Sequence, residues 1–234
     1  MVKKKEEIIR LKDAAKYYQM GEVIVKAVDG IDISIKKGDF VAVMGPSGSG
    51  KSTAMNLIGS LDMATKGHIF LDKEDISLLE ESDLAQVRGK HIGFIFQQFN
   101  LIPTLTVKEN IMLPMTLQDT DKEDREDRVL DLMKKMELLD RAEHYPSQIS
   151  GGQQQRVAIA RALANDPEVI LADEPTGNLD TKTGERVMDF LKKLNKEGKT
   201  IVMVTHDPDL VKAYADVVYW LVDGKVQKIT RKKK

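Results

Sequence analysis

The chain has no cysteine, no long apolar run, no surplus of either charge, and no internal repeat or low-complexity tract. Without cysteine there are no disulfides and no thiolate chemistry, and one reason to place the protein outside the cytoplasm disappears. The clearest apolar runs, such as Val217 to Val222, fall well short of the roughly 20 residues that a membrane-spanning helix needs. Any membrane role would have to pass through a partner. The opening stretch MVKKKEEIIR has basic side chains but no apolar segment behind them, so no secretory signal is expected. Thirty-six basic residues against 37 acidic ones leave a net charge of −1, which provides no global field for nucleic acid, and no such partner is expected. What remains is 234 residues that are 41% hydrophobic and 31% charged. That is enough to bury a sizeable core and too apolar for disorder, and one compact domain, or one with a subdomain, is expected.

Patterning gives the order of elements. Ile31, Ile33 and Ile35 alternate with polar residues before the turn at Lys37-Gly38-Asp39, which predicts a strand. Phe40 to Met44 is a continuous apolar run and predicts a buried strand, and Ala54, Met55, Leu57 and Ile58 have helical spacing after it. His68 to Leu71 is a further short strand candidate. Between Asn100 and Gln148 the chain turns charged and helical, with Val129, Leu132, Met133 and Met136 at i, i+3, i+4 and i+7. The charged stretch Asp119 to Arg128 reads as a solvated linker and helix start. Past Ser150 a helix to about Ala164, a strand Val169 to Ala172, a helix with Val187, Met188, Leu191 and Leu194 on one face, and a strand Thr200 to Val204 follow in turn. Val217 to Val222 and Lys225 to Ile229 flank Asp223-Gly224, a dipeptide suited to a type I′ hairpin. The pattern predicts a mainly parallel α/β core with an antiparallel amino-terminal sheet and a helical insertion.

Two strings carry the chemistry. The first, GPSGSGKST, comprises Gly45, Pro46, Ser47, Gly48, Ser49, Gly50, Lys51, Ser52 and Thr53, and fits the phosphate-loop pattern GxxxxGK[ST] between a buried strand and a helix. Backbone N–H groups of such a loop surround phosphate oxygens at the positive end of the helix, Lys51 reaches the β- and γ-phosphates, and the Ser52 hydroxyl ligates Mg²⁺. Later, VILADE places Asp173 and Glu174 side by side at a strand end, where an open parallel sheet presents its ligand crevice. One reading gives Asp173 to Mg²⁺ and makes Glu174 the general base for the attacking water; the other makes them an exposed pair capping the next helix. The second string, SGGQQQRVAIARAL from Ser150 to Leu163, lies downstream of that loop.

Taken together these strings resemble the ATP-binding-cassette (ABC) ATPases over nearly the whole chain. The resemblance implies a P-loop NTPase fold of α/β class, with residues 1–98 and 160–234 forming the core and β-subdomain and about 99–159 the helical subdomain. It implies ATP hydrolysis with Mg²⁺. Gln97, in FIFQQFNL, matches the glutamine that in the family contacts Mg²⁺ and the attacking water, with Gln98 as the neighbouring alternative. Tyr18 matches the aromatic residue that stacks on adenine, with Tyr17 as the second candidate. Ser150, Gly151, Gly152 and Gln153 would contact the γ-phosphate of ATP held by an opposite subunit, Asn178-Leu179-Asp180 would communicate between two sites, and His206 in VTHD would hold the γ-phosphate. The one departure is Ile149 where leucine is commoner, a volume-conserving change.

Within the family, the surroundings of both strings are most similar to the lipoprotein-releasing and macrolide-export (LolD/MacB-like) group. That likeness implies an ATP-dependent homodimer, a transmembrane permease partner, a cytoplasmic position at the inner face of the membrane, and export or extraction. Subunits of FtsE type, which transmit force or signal through a membrane partner, are the alternative. DNA-repair and translation members are disfavoured because the chain has neither a long coiled-coil insertion nor a second cassette. Leu101 and Ile102 are read either as a docking surface or as insertion core. The tail Arg231 to Lys234 is read either as a headgroup contact or as a solvated end.

Overall fold

The computed structural model describes residues 5–232, so part of the basic amino terminus and the last two lysines of the tail lie outside the described residues. The first half runs β1 (Glu7–Met20), β2 (Val23–Lys36), β3 (Phe40–Met44), α1 (Lys51–Ile58), β4 (Lys66–Leu71), β5 (Glu74–Asp75), α2 (Glu81–His91) and β6 (Ile92–Ile95). The second runs α3 (Val107–Leu117), α4 (Lys122–Lys135), α5 (Gly151–Ala162), β7 (Val169–Asp173), α6 (Thr181–Lys196), β8 (Thr200–Val204), α7 (Pro208–Tyr214), β9 (Val217–Val222) and β10 (Lys225–Arg231). These elements form two compact units, one of Met1–Leu84 with Leu191–Lys234 and one of Ala85–Phe190.

In the first unit β3 is the centre of a parallel arrangement. It pairs β8 on one side, Val43 opposite Val204, and β9 on the other, Met44 opposite Trp220. Every residue of β3 and β8 is buried, which is why both read in the sequence as continuous apolar runs rather than as alternation. β10 closes the edge as the antiparallel arm of a hairpin whose turn residues, Asp223 and Gly224, both have positive φ (49° and 73°), as a type I′ turn requires. A separate antiparallel sheet has the order β2-β1-β4-β5. The long strand β1 has no clean alternation to announce it, because register shifts at Leu11/Ala14, Ala14/Lys16 and Lys16/Tyr17 repeatedly reset which face is buried.

The second unit combines the parallel pair β6 and β7 with the helices α3, α4 and α5. Val129, Leu132, Met133 and Met136 of the α4 stripe are all buried. α4 is bracketed by acids in its first turn and lysines in its last, in the sense that suits the helix dipole. α2 gives no comparable signal, since Leu84 is its only fully buried residue. The mixed α/β class with a parallel sheet and an antiparallel amino-terminal sheet is thus the one the pattern predicts. Leu132→Ala is expected to lower stability in urea unfolding by roughly 2–5 kcal/mol. Leu130→Ala, two residues away and 60% exposed, should stay within about 0.5 kcal/mol; equal losses would contradict this orientation of α4.

Candidate functional site

The phosphate-loop residues follow β3 directly, and their shape depends on backbone meeting backbone. A Cβ at Gly45 would lie 2.1 Å from the Leu221 carbonyl oxygen, and one at Gly50 would lie 2.2 Å from that of Ala27. Gly50, with φ 92°, is also the N-cap of α1. No other residue type fits either place without displacing the chain. The loop is tied further by the Ser49 N–H to the Pro46 carbonyl (3.3 Å) and by the Gly224 N–H to the Ser49 carbonyl (3.1 Å), so the β9–β10 turn rests on it. Lys51 folds its ammonium back onto the Pro46 carbonyl at 2.8 Å. The start of α1 receives no side-chain cap and has no acid in its first turn, so nothing in that turn neutralises its positive end. The buried Ser49 hydroxyl also has no hydrogen-bond partner. These features fit a phosphate group.

Two more predicted positions gather around this loop. The phenol of Tyr18 donates to Asp62 at 2.9 Å, and the Lys16 ammonium lies 5.3 Å from its ring centre. Its pKa is raised, by burial first and then by the bond and charge of Asp62, against a smaller opposing hydrogen bond from Thr53 of the loop. Tyr17 instead donates to Asp29 and has the Lys26 and Lys66 ammoniums 5.3 and 5.6 Å from its ring centre. His206 follows β8 and is exposed. The Val43–Val204 pairing places it and Gly45 at the same end of adjacent parallel strands. Asp207 behind it caps α7, accepting from the Asp209 and Leu210 N–H groups at 2.8 and 3.2 Å.

The remaining positions belong to the second unit. Asp173 ends β7, and Glu174 follows with φ 42°, a left-handed conformation that a side-chain-bearing residue holds only when its surroundings enforce it. The loop from Glu174 to Asp180 is fastened at several points. The Gly177 N–H donates to the Glu174 carbonyl at 2.9 Å, and the Asn178 amide donates to the Gln97 carbonyl at 2.8 Å. A Cβ at Gly177 would lie 2.9 Å from Gln97 Nε2, so it is Gln97 whose amide lies against this loop. Asp180 accepts from the Thr183 N–H at 3.0 Å at the start of α6, and its carboxyl is held below the usual range by the Thr183 side chain first and then by backbone N–H groups. The expected Mg²⁺ donors Ser52, Gln97 and Asp173 include one carboxylate. Among the described residues no three His, Cys, Asp or Glu side chains are gathered to hold a metal.

The downstream string opens α5 with a reciprocal cap. Ser150 Oγ accepts from the Gln153 N–H at 3.3 Å, and Gln153 Oε1 accepts from the Ser150 N–H at 2.9 Å. A cavity of about 330 Å³ lies beside this cap, lined by Ser150, Gly152, Gln153, Arg156, Thr183 and Arg186 among others. Its cations outnumber its single acid, Glu137, which pairs with Arg156 at 3.3 Å.

Several residues that organise these loops were assigned no role in the sequence. Arg161 donates to the Phe99 and Asn100 carbonyls at 2.7 and 2.5 Å. Buried Asn110 accepts from the Ile102 N–H at 2.8 Å and donates to the Ile102, Leu105 and Thr106 carbonyls. Ile102 itself is 36% exposed. Gln155 is buried and donates to the Pro175 carbonyl. A signal for it did exist, since Gln155, Ala158, Ile159 and Ala162 fall at i, i+3, i+4 and i+7 and all are buried.

Comparison with known proteins places the chain in a family. A family model described as ABC transporter matches residues 28–177. The ABC transporter ATP-binding protein MJ0796 of Methanocaldococcus jannaschii is 51% identical over 226 residues, which are 94% of this chain and 96% of that protein. The macrolide export ATP-binding/permease protein MacB of Brucella melitensis is 45% identical over 226 residues, which are 97% of this chain but 35% of that longer protein. Among solved structures, a dimeric post-hydrolysis state of the ATP-binding cassette MJ0796 bound to ADP and Pi superposes with a TM-score of 0.89 at 47% identity, covering 97% of this chain and 100% of that one. A nucleotide-free cassette from an ABC transporter gives 0.82 at 27% identity, covering 97% and 92%. The chain belongs to the ABC transporter ATP-binding family and is an ABC ATPase.

Proposed function

We propose that two copies of this chain close head to tail around two molecules of Mg-ATP and, through a permease of the MacB-like kind, drive export or extraction from the cytoplasmic face of a membrane. The observation that carries the dimer is the relative MJ0796, which was solved as a dimer with ADP and Pi and shares about half of its residues with this chain. The MacB likeness carries the coupling to export, since that relative joins an ATP-binding segment to a permease. Among the described residues no helix is long and apolar enough to cross a membrane, and the exposed Ile102 offers an apolar contact for such a permease.

The roles follow from chemistry. Lys51 and the N–H groups opening α1 bind the β- and γ-phosphates, and Tyr18 stacks on adenine. Ser52, Gln97 and Asp173 would hold Mg²⁺, which when bound would supply positive charge against the phosphates. Glu174 takes a proton from the attacking water as general base, with Gln97 orienting that water and His206 steadying the γ-phosphate. Ser150 to Gln153 of one copy complete the site of the other, and Asp180 relays between the sites.

Two measurements test this reading. Glu174→Gln should slow hydrolysis by about 10²–10⁴-fold and, on size-exclusion chromatography with light scattering, shift from monomer to dimer only with Mg-ATP. A variant that binds ATP and stays monomeric contradicts the shared site. Separately, Lys51→Ala and Ser150→Arg chains should each be inactive alone and recover activity when mixed, because one composite site then has both intact halves. No recovery means that each chain encloses its own nucleotide.

A further inference from the structure

Gln155 lies two residues past Gln153 on α5, is 1% exposed, and donates from Nε2 to the Pro175 carbonyl at 3.1 Å. Its Oε1 is buried and has no hydrogen-bond partner. As a packing element this is a poor choice, since a methionine or leucine would fill the same space without burying an unsatisfied acceptor. The carbonyl it reaches explains why an amide is there. Pro175 directly follows Glu174 and has no N–H, so its carbonyl is the only hydrogen-bonding backbone handle at that position. Glu174 stands at φ 42°, a conformation held from outside, with the Gly177 N–H on its own carbonyl at 2.9 Å and Gln155 gripping the next peptide.

On the reading of Glu174 as general base given above, we infer that Gln155 is a positioning residue, through which the helix opened by Ser150 to Gln153 sets the placement of the Glu174 carboxylate. A helix moves as a rigid rod, so any shift of its capped end on meeting the partner's nucleotide is passed to Gln155 within one turn and then through a single hydrogen bond to the residue after the base. Gln155 is buried and acts through the Pro175 carbonyl, so its effect is on the rate of the step rather than on binding.

The test compares wild type, Gln155→Met and Glu174→Gln by steady-state ATP hydrolysis, light scattering with Mg-ATP, and thermal unfolding. Gln155→Met keeps the volume and loses the donor. A carboxylate misplaced by an ångström should lower kcat by about 10²-fold with KM within twofold, and the ATP-bound dimer should accumulate as in Glu174→Gln, which loss of a merely structural contact would not produce. Turnover within twofold of wild type overturns the inference, as does a kcat loss accompanied by a matching rise in KM or by failure to dimerise. If Gln155→Met does not fold, Gln155→Asn, whose amide is one methylene too short to reach Pro175, is judged by the same criteria. The two readings fail separately. Full activity in Glu174→Gln removes the base, whereas an inactive Glu174→Gln beside a fully active Gln155→Met removes only the coupling.

Discussion

Direct contact of backbone with backbone around the phosphate loop is the constraint on which the first unit depends. Gly45 lies against the Leu221 carbonyl and Gly50 against that of Ala27, at separations that leave no room for a methyl group. For the loop to fit, β9 must end beside β3, β2 must pass the start of α1, and the Asp223-Gly224 turn must settle on Ser49. The pairing of β3 with its two parallel neighbours is therefore part of the binding geometry as well as of the core. His206 reaches the same edge because β8 runs beside β3 in register. Two close approaches thus fix the relative places of a loop, a turn and a strand end that are widely separated in sequence.

The second unit solves a different problem, which is to hold a short loop that has little regular structure of its own. From Glu174 to Asp180 the chain is tied in three directions: its Asn178 amide donates to the Gln97 carbonyl, its Pro175 carbonyl accepts from the Gln155 amide of α5, and its Asp180 carboxylate accepts from the Thr183 N–H at the head of α6. Each bond is modest, on the order of 1 kcal/mol net, yet together they hold Glu174 in a conformation that it would not adopt alone. Neutral amides and backbone groups make most of these ties, so salt will screen them little.

Where one physical cause shaped a contiguous run of residues, the sequence was easy to read. Burial on both faces made β3 and β8 continuous apolar runs, the φ requirements of a tight turn selected Asp223-Gly224, and phosphate binding demanded Gly45 to Thr53 in one unbroken stretch. β1 stayed hidden because its bulges reset the alternation, and α2 because one buried leucine leaves no stripe. The positions in the candidate site were visible for the same reason as the loop, since each sits in a short string. The ties between them were not visible. Gln155 and Pro175 are 20 residues apart and Asn178 and Gln97 are 81 apart, and an amide that finds its carbonyl across such gaps leaves no local period. Gln155 lies within a run of three glutamines whose members differ only in which way the helix turns them.

The reciprocal cap at the start of α5 has a consequence for any anion that binds there. Ser150 and Gln153 already satisfy one another in the single chain, so an arriving anion must displace a bond already made. The net gain is then the difference between the bond made and the bond given up, less than that of a new one. A contact made by such an exchange is weaker than one made to an idle donor.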